Sequence, residues 1–169
     1  MKPKSEQNGN AHALPAPDCA GKRFAIVAAE FYTQLSNWLI DGAKRALADC
    51  GVDEDDIVVF SVPGCFELPL ACRLVIDNEA VDAVVAVGAV IRGETPHFDF
   101  VAGECARGLM DVQLSFGVPI GFGVLTTDNM AQAQERADPQ QGDKGYEAAI
   151  AAATLLQIPK KLPRAGFRS

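Results

Sequence analysis

Only two histidines occur in the sequence, His12 and His97, and this scarcity limits the chemistry available. A zinc site is usually assembled from several His and Cys ligands at fixed spacing. The five cysteines, Cys19, Cys50, Cys65, Cys72 and Cys105, are odd in number and include no C-x-x-C pair. Neither a metal site nor a disulfide framework is expected, and reduced thiols in a cytoplasmic protein are the simplest reading. Positive charge is also short. Fifteen Lys and Arg face 22 Asp and Glu, for a formal net charge of -7. Such a surface repels phosphate backbones and no basic patch offsets it, so no nucleic-acid partner is expected. The cluster Lys160, Lys161, Arg164 and Arg168 reads as a solvated tail. No apolar run approaches the ~18–20 residues of a membrane-spanning helix. The opening MKPKSEQNGN lacks the apolar stretch of about 7–15 residues that a signal peptide carries behind its charges, so none is expected. Neither G-x-G-x-x-G nor G-x-x-x-x-G-K-[ST] is present, so dinucleotide and triphosphate binding have no support.

What is present is a 169-residue chain with 49% hydrophobic residues, enough for one domain with a proper core. Residues 1–21 mix Pro, Asn, Gly and Ala without periodicity and read as a flexible N-terminal tail. Residues 22–159 form the domain, and 160–169 a basic C-terminal tail. FAIVAA (24–29), IVVFSV (57–62), AVVAVGAVI (83–91) and PIGFGVLT (119–126) are continuous apolar runs, as expected of strands covered on both faces. Helical patterns separate them. One begins near Thr33, its possible N-cap, and stops at Gly51. A second carries ELPLACRLVI, with Pro69 tolerable only in its first turn. A third spans 96–116, with Thr95 at N-cap and Pro96 at N1. Two more start near Asp128 and Asp143. Alternating strands and helices predict a three-layer α/β sandwich, flavodoxin-like, with a four-stranded, mostly parallel sheet and helices on both faces.

In such a sheet, ligands bind beyond the carboxyl ends of the strands. There the sequence places Glu30-Phe31-Tyr32, then Cys65-Phe66-Glu67, then IRGETPHFD, then Thr126-Thr127-Asp128-Asn129. These residues suit a flat, polar heterocycle lying on a phenyl ring, with an anion nearby. A helix N-terminus presents unpaired N–H groups and partial positive charge. Glu94 and Thr95 bring backbone amides to such a point, Arg92 can add a full charge, and His97 can move protons near neutral pH. Blander readings compete with each of these. Thr95-Pro96 can simply cap a helix beside a surface histidine, and Phe31 and Phe66 can be core. Glu67 can be a first-turn acid, Asp128 an N-cap, and Arg136 and Lys144 solvated charges. Cys65 has no base beside it, so nucleophilic catalysis is weakly supported. Read this way, the residues reach as far as an α/β enzyme for a small phosphorylated or heterocyclic substrate.

The ordered set AAEFY, VPGCFELP, GAVIRGETPHFDFV, PIGFGVLTTDN, QAQERAD and GDKGYEAA resembles the 6,7-dimethyl-8-ribityllumazine synthase family, collinearly from about Arg23 to Ile158. The family condenses 5-amino-6-(D-ribitylamino)uracil with 3,4-dihydroxy-2-butanone 4-phosphate, without cofactor or metal, in the penultimate step of riboflavin biosynthesis. The resemblance implies that Phe31 stacks on the pyrimidine, that Cys65, Phe66 and Glu67 line the ribityl and pyrimidine site, and that Ala89, Val90 and Ile91 bind the ring through backbone groups. It assigns the phosphate to the amides of Glu94 and Thr95 and to Arg136, and proton transfer to His97. Phe122, Arg136 and Lys144 match positions that a neighbouring subunit contributes. Two departures stand out: a polar residue is common where Cys65 lies, and an asparagine where Tyr32 lies. Family members form pentamers, and some build 60-subunit shells; the short connection ADPQQGDKG (137–145) resembles that of shell formers. The resemblance also names riboflavin synthase as a partner, and assigns residues before the first strand to the sheet edge of a neighbour. A relative that holds riboflavin or a lumazine without turnover, a flavodoxin-like electron carrier and a purely structural shell protein are the alternatives.

Overall fold

In the computed structural model, which describes residues 15–158, strand and helix alternate along the chain. The elements are β1 (Phe24–Ala29), α1 (Thr33–Asp49), β2 (Ile57–Val62), α2 (Leu68–Asn78), β3 (Ala83–Ile91), α3 (His97–Phe116), β4 (Ile120–Thr127), α4 (Met130–Ala137) and α5 (Lys144–Leu155). Short 3-10 turns, Glu54–Asp56 and Cys65–Glu67, lead into β2 and α2. The strands form one sheet in the order β2-β1-β3-β4, and every neighbouring pair runs parallel. The flavodoxin-like three-layer architecture is therefore present, with a sheet that is wholly parallel.

Successive side chains of a strand point to opposite faces, and β1 divides the core accordingly. Phe24, Ile26 and Ala28 pack with Leu39, Ala43 and Leu47 of α1 and with the alanines of α5. Ala25, Val27 and Ala29 meet Leu68 and Cys72 of α2 and Cys105 and Leu109 of α3. Every residue of β1 and nearly all of β3 is buried, as continuous apolar runs require of central strands. Each large core side chain contributes roughly 1.5–3 kcal/mol by leaving water.

β2 departs from expectation. It lies at the sheet edge, its residues are only partly covered, and Val59 is 40% exposed. An apolar run alone does not distinguish an edge strand from a central one. Helix starts also shift by a residue. Thr33 is the first residue of α1 rather than its cap, Pro96 rather than Thr95 takes the N-cap of α3, and Asn129 rather than Asp128 caps α4. Pro69 falls in the first turn of α2. Within the tail expected over 1–21, Cys19 is buried and its N–H donates to the Cys50 carbonyl at 2.7 Å, so this part is docked. His12 and the basic cluster Lys160, Lys161, Arg164 and Arg168 lie outside the described residues. Among the described residues, no helix is long and apolar enough to cross a membrane.

Candidate active site

The strand order reverses between β1 and β3, since the chain leaves β1 to one side for β2 and returns to the other for β3. Ligands of open parallel sheets bind outside the carboxyl ends at such a point. A cleft of about 540 Å³ opens there. Phe31 and Tyr32 enter it from the end of β1, and Gly64, Cys65, Phe66 and Glu67 from the end of β2. Ala89, Val90 and Ile91 of β3 and His97, Phe100 and Val101 of α3 complete it. The β1 and β3 rows are in register, so their ends present one continuous rim.

Phe31 is 73% exposed and Phe66 61% exposed, so neither is core. The Phe31 and Tyr32 rings meet in a T-shaped pair, centroids 4.9 Å apart. Cys65 differs from both. Its thiol is buried beneath β3, where Sγ lies 2.8 Å from the point a Cβ on Gly88 would occupy. Burial first, and Cys105 second, push its pKa up to about 12, although an Ala89 backbone hydrogen bond acts the other way. A thiol in that state is protonated at neutral pH, which argues against a nucleophilic role.

Glu94, Thr95 and His97 are exposed on the turn entering α3, and of the three only His97 lines this cleft. Thr95 Oγ1 accepts a hydrogen bond from the His97 N–H at 3.4 Å, a local turn contact just before the helix. Arg92 does not carry the free charge expected of it. Its guanidinium is shared between Asp99 at 3.4 Å and Asp128 at 3.1 Å and lies 4.3 Å over the Phe98 ring. It braces the β3–α3 turn against the β4–α4 turn.

Phe122, Arg136 and Lys144 do not join this cleft. They line a second depression of about 740 Å³ along β4 and α5, and the two depressions share no residue. Arg136 donates to the Gln132 carbonyl of its own helix at 3.0 Å, and Lys144 Nζ meets Glu147 Oε2 at 2.6 Å. Among the lining residues that the sequence reading did not single out are Phe100, Val101 and Glu147. Phe100 stands three residues after His97, so the helical repeat sets both on one face, and that spacing was the available signal. Among the described residues no group of three His, Cys, Asp or Glu side chains is arranged to hold a metal ion.

Fold and cleft together define an open parallel α/β protein with a cleft at its strand-order reversal, where ligands of such sheets bind. A family model described as 6,7-dimethyl-8-ribityllumazine synthase matches residues 21–160, nearly the whole described chain. The chain belongs to that family of riboflavin-biosynthesis enzymes, which act on small molecules.

Proposed function

We propose that the protein condenses 5-amino-6-(D-ribitylamino)uracil with 3,4-dihydroxy-2-butanone 4-phosphate, giving 6,7-dimethyl-8-ribityllumazine, phosphate and water, at sites shared between neighbouring copies. The observation that carries this reading is the division of the site residues. Phe31, Phe66, Glu67 and His97 line one open depression, while the cations Arg136 and Lys144 line another. Neither half suffices alone for a heterocycle and a phosphate, and a second copy docked across them supplies both.

In this reading the pyrimidine lies on the exposed Phe31 ring, beside Phe66 and Glu67, with backbone groups of Cys65, Ala89, Val90 and Ile91 at its edge. Phe122 and Lys144 of a neighbouring copy close over it. The phosphate sits at the α3 terminus on the amides of Glu94 and Thr95, where aligned N–H groups favour an anion, and Arg136 of the neighbour completes its cage. His97 then stands beside the carbon chain of the phosphorylated substrate. Imine formation transfers protons and releases water, elimination breaks the C–O bond to phosphate, and ring closure releases water again. The sequence is redox-neutral, so it calls for no redox cofactor. Holding two substrates in register supplies much of the acceleration, on the order of 7–11 kcal/mol for well-oriented partners.

Assembly follows from the shared site. Leu70, Leu74, Met110 and Leu114 stand exposed on α2 and α3, an apolar surface of the kind that marks protein contacts. We assign the protein to a ring of five copies, with the short α4–α5 connection favouring a closed shell of 60.

Lumazine fluorescence from the two mixed substrates, against a protein-free control, tests the reaction directly. Wild type should exceed the control, and His97→Ala should slow it by about a hundredfold, within the usual span for a proton-transfer group, without abolishing it. An assembled wild type no faster than the control would leave the reading of a non-catalytic riboflavin or lumazine binder, which riboflavin titration would then measure.

A further inference from the structure

Asp143 is the sole non-glycine residue with positive φ among the described residues, at φ 46°. Left-handed backbone is strained for a residue with a side chain, although Asp tolerates it better than most. Glycine would relieve that strain, yet the chain keeps a carboxylate there and buries it. Arg45 of α1 grips this carboxylate with both prongs, Nη1 to Oδ2 at 3.0 Å and Nη2 to Oδ1 at 2.9 Å. Asp41 accepts from Arg45 Nε at 2.8 Å and fixes the guanidinium from the other side. Two-pronged arginine–carboxylate pairs set orientation as well as attraction.

The surrounding backbone leaves little freedom. A Cβ on Gly42 would stand 2.5 Å from Asp143 Oδ1, and one on Gly145 would collide with the Leu39 carbonyl, so α1 and α5 meet backbone to backbone. On the other side of the turn, the Gly142 N–H donates to the Glu135 carbonyl at 2.8 Å, and the Asp143 N–H to the Asp138 carbonyl at 3.1 Å. A Cβ on Gly142 would stand 2.7 Å from Arg136 Cα. The turn 138–143 thus holds the end of α4, with Arg136, and the start of α5, with Lys144, as one unit.

We propose that Arg45 and Asp143 are positioning residues: their ion pair locks this unit onto α1 and so fixes Arg136 and Lys144 at the spacing the substrates require. Neither residue touches substrate. The inference rests on the reading of Arg136 and Lys144 as substrate-binding cations. Strain retained beside a site is common where it fixes geometry, and small displacements of binding groups have large kinetic effects.

The test compares wild type with Asp143→Gly, which accepts the positive φ but removes the carboxylate, and with Asp143→Asn, which keeps shape but loses charge. Steady-state lumazine assays run well below each melting temperature should give a KM for the butanone phosphate raised roughly tenfold in Asp143→Gly, less in Asp143→Asn, with kcat held within about threefold. A lowered melting temperature with unchanged KM would make the pair merely structural and overturn the inference. Calorimetric titration of inorganic phosphate separates this failure from that of the reaction itself. An inactive wild type that still binds phosphate more tightly than Asp143→Gly would remove the reaction and keep the clamp. Equal phosphate affinity in all three proteins would overturn the clamp whatever the activity. If Asp143→Gly does not assemble, the Asp143→Asn comparison carries the same outcomes.

Discussion

Phe31 and Phe66 are large apolar side chains left in contact with water at a cleft mouth. A base stacked on an aromatic ring gains about 1–3 kcal/mol, so Phe31→Ala should raise the KM for the ribitylaminouracil by about tenfold while leaving thermal stability nearly unchanged. A fall in stability without a change in KM would return Phe31 to a packing role. The thiols give a second residue-scale expectation. Burial is the largest cause raising Cys65 and Cys72 to about 12 and Cys50 and Cys105 to about 11. An unfolded thiol ionises near 9, so the unfolded state loses its proton first as pH rises. The stability these neutral thiols contribute is therefore complete below about pH 8 and is lost progressively from pH 9 towards 12. Urea midpoints at pH 7.5, 9 and 10.5 check the sign; a midpoint that rose with pH would contradict it. Phe31, Glu67 and His97 were legible because each follows a strand that the apolar pattern marks. Arg92 was not, because its partners Asp99 and Asp128 lie on different elements and only folding brings them to it.

Among the elements, the central strands β1 and β3 were legible to the residue, since both their faces are covered and apolar runs report that directly. β2 looked the same in sequence and is an edge; its position comes from the order of crossovers, which no local pattern encodes. Helix starts were legible to within a residue, because Asp128 and Asn129 are both good caps and local chemistry does not choose between them. The structure chooses Asn129, whose side chain accepts from the Gln132 N–H at 2.9 Å while Gln132 Oε1 accepts from the Asp128 N–H at 2.9 Å. Asn129→Ala should therefore cost about 1 kcal/mol, lowering the urea midpoint. Asp128→Ala should cost less in stability and act mainly by releasing Arg92. Equal losses from the two substitutions would show that the cap is not at Asn129.

For the whole molecule, the exposed apolar side chains of α2 and α3 and the split between two depressions point the same way. Leu114, 73% exposed, should be a contact residue. Leu114→Glu should shift native mass spectra towards smaller species and reduce activity while circular dichroism stays that of the folded chain. The grouping of the first cleft was legible from the carboxyl-end rule of parallel sheets. The separation of Phe122, Arg136 and Lys144 into a second depression was not legible from spacing, because it depends on how β4 and α5 pack; the family resemblance alone set these residues apart. The sharing of each site between copies is tested most directly by mixing His97→Ala subunits with Arg136→Ala subunits, dissociated and reassembled together. If each site takes His97 from one copy and Arg136 from its neighbour, about a quarter of the sites in a randomly mixed ring regain both groups, and activity should rise well above either parent. If mixing restores nothing beyond the average of the two parents, although native mass spectra show mixed rings, both groups serve one chain and the shared site is wrong.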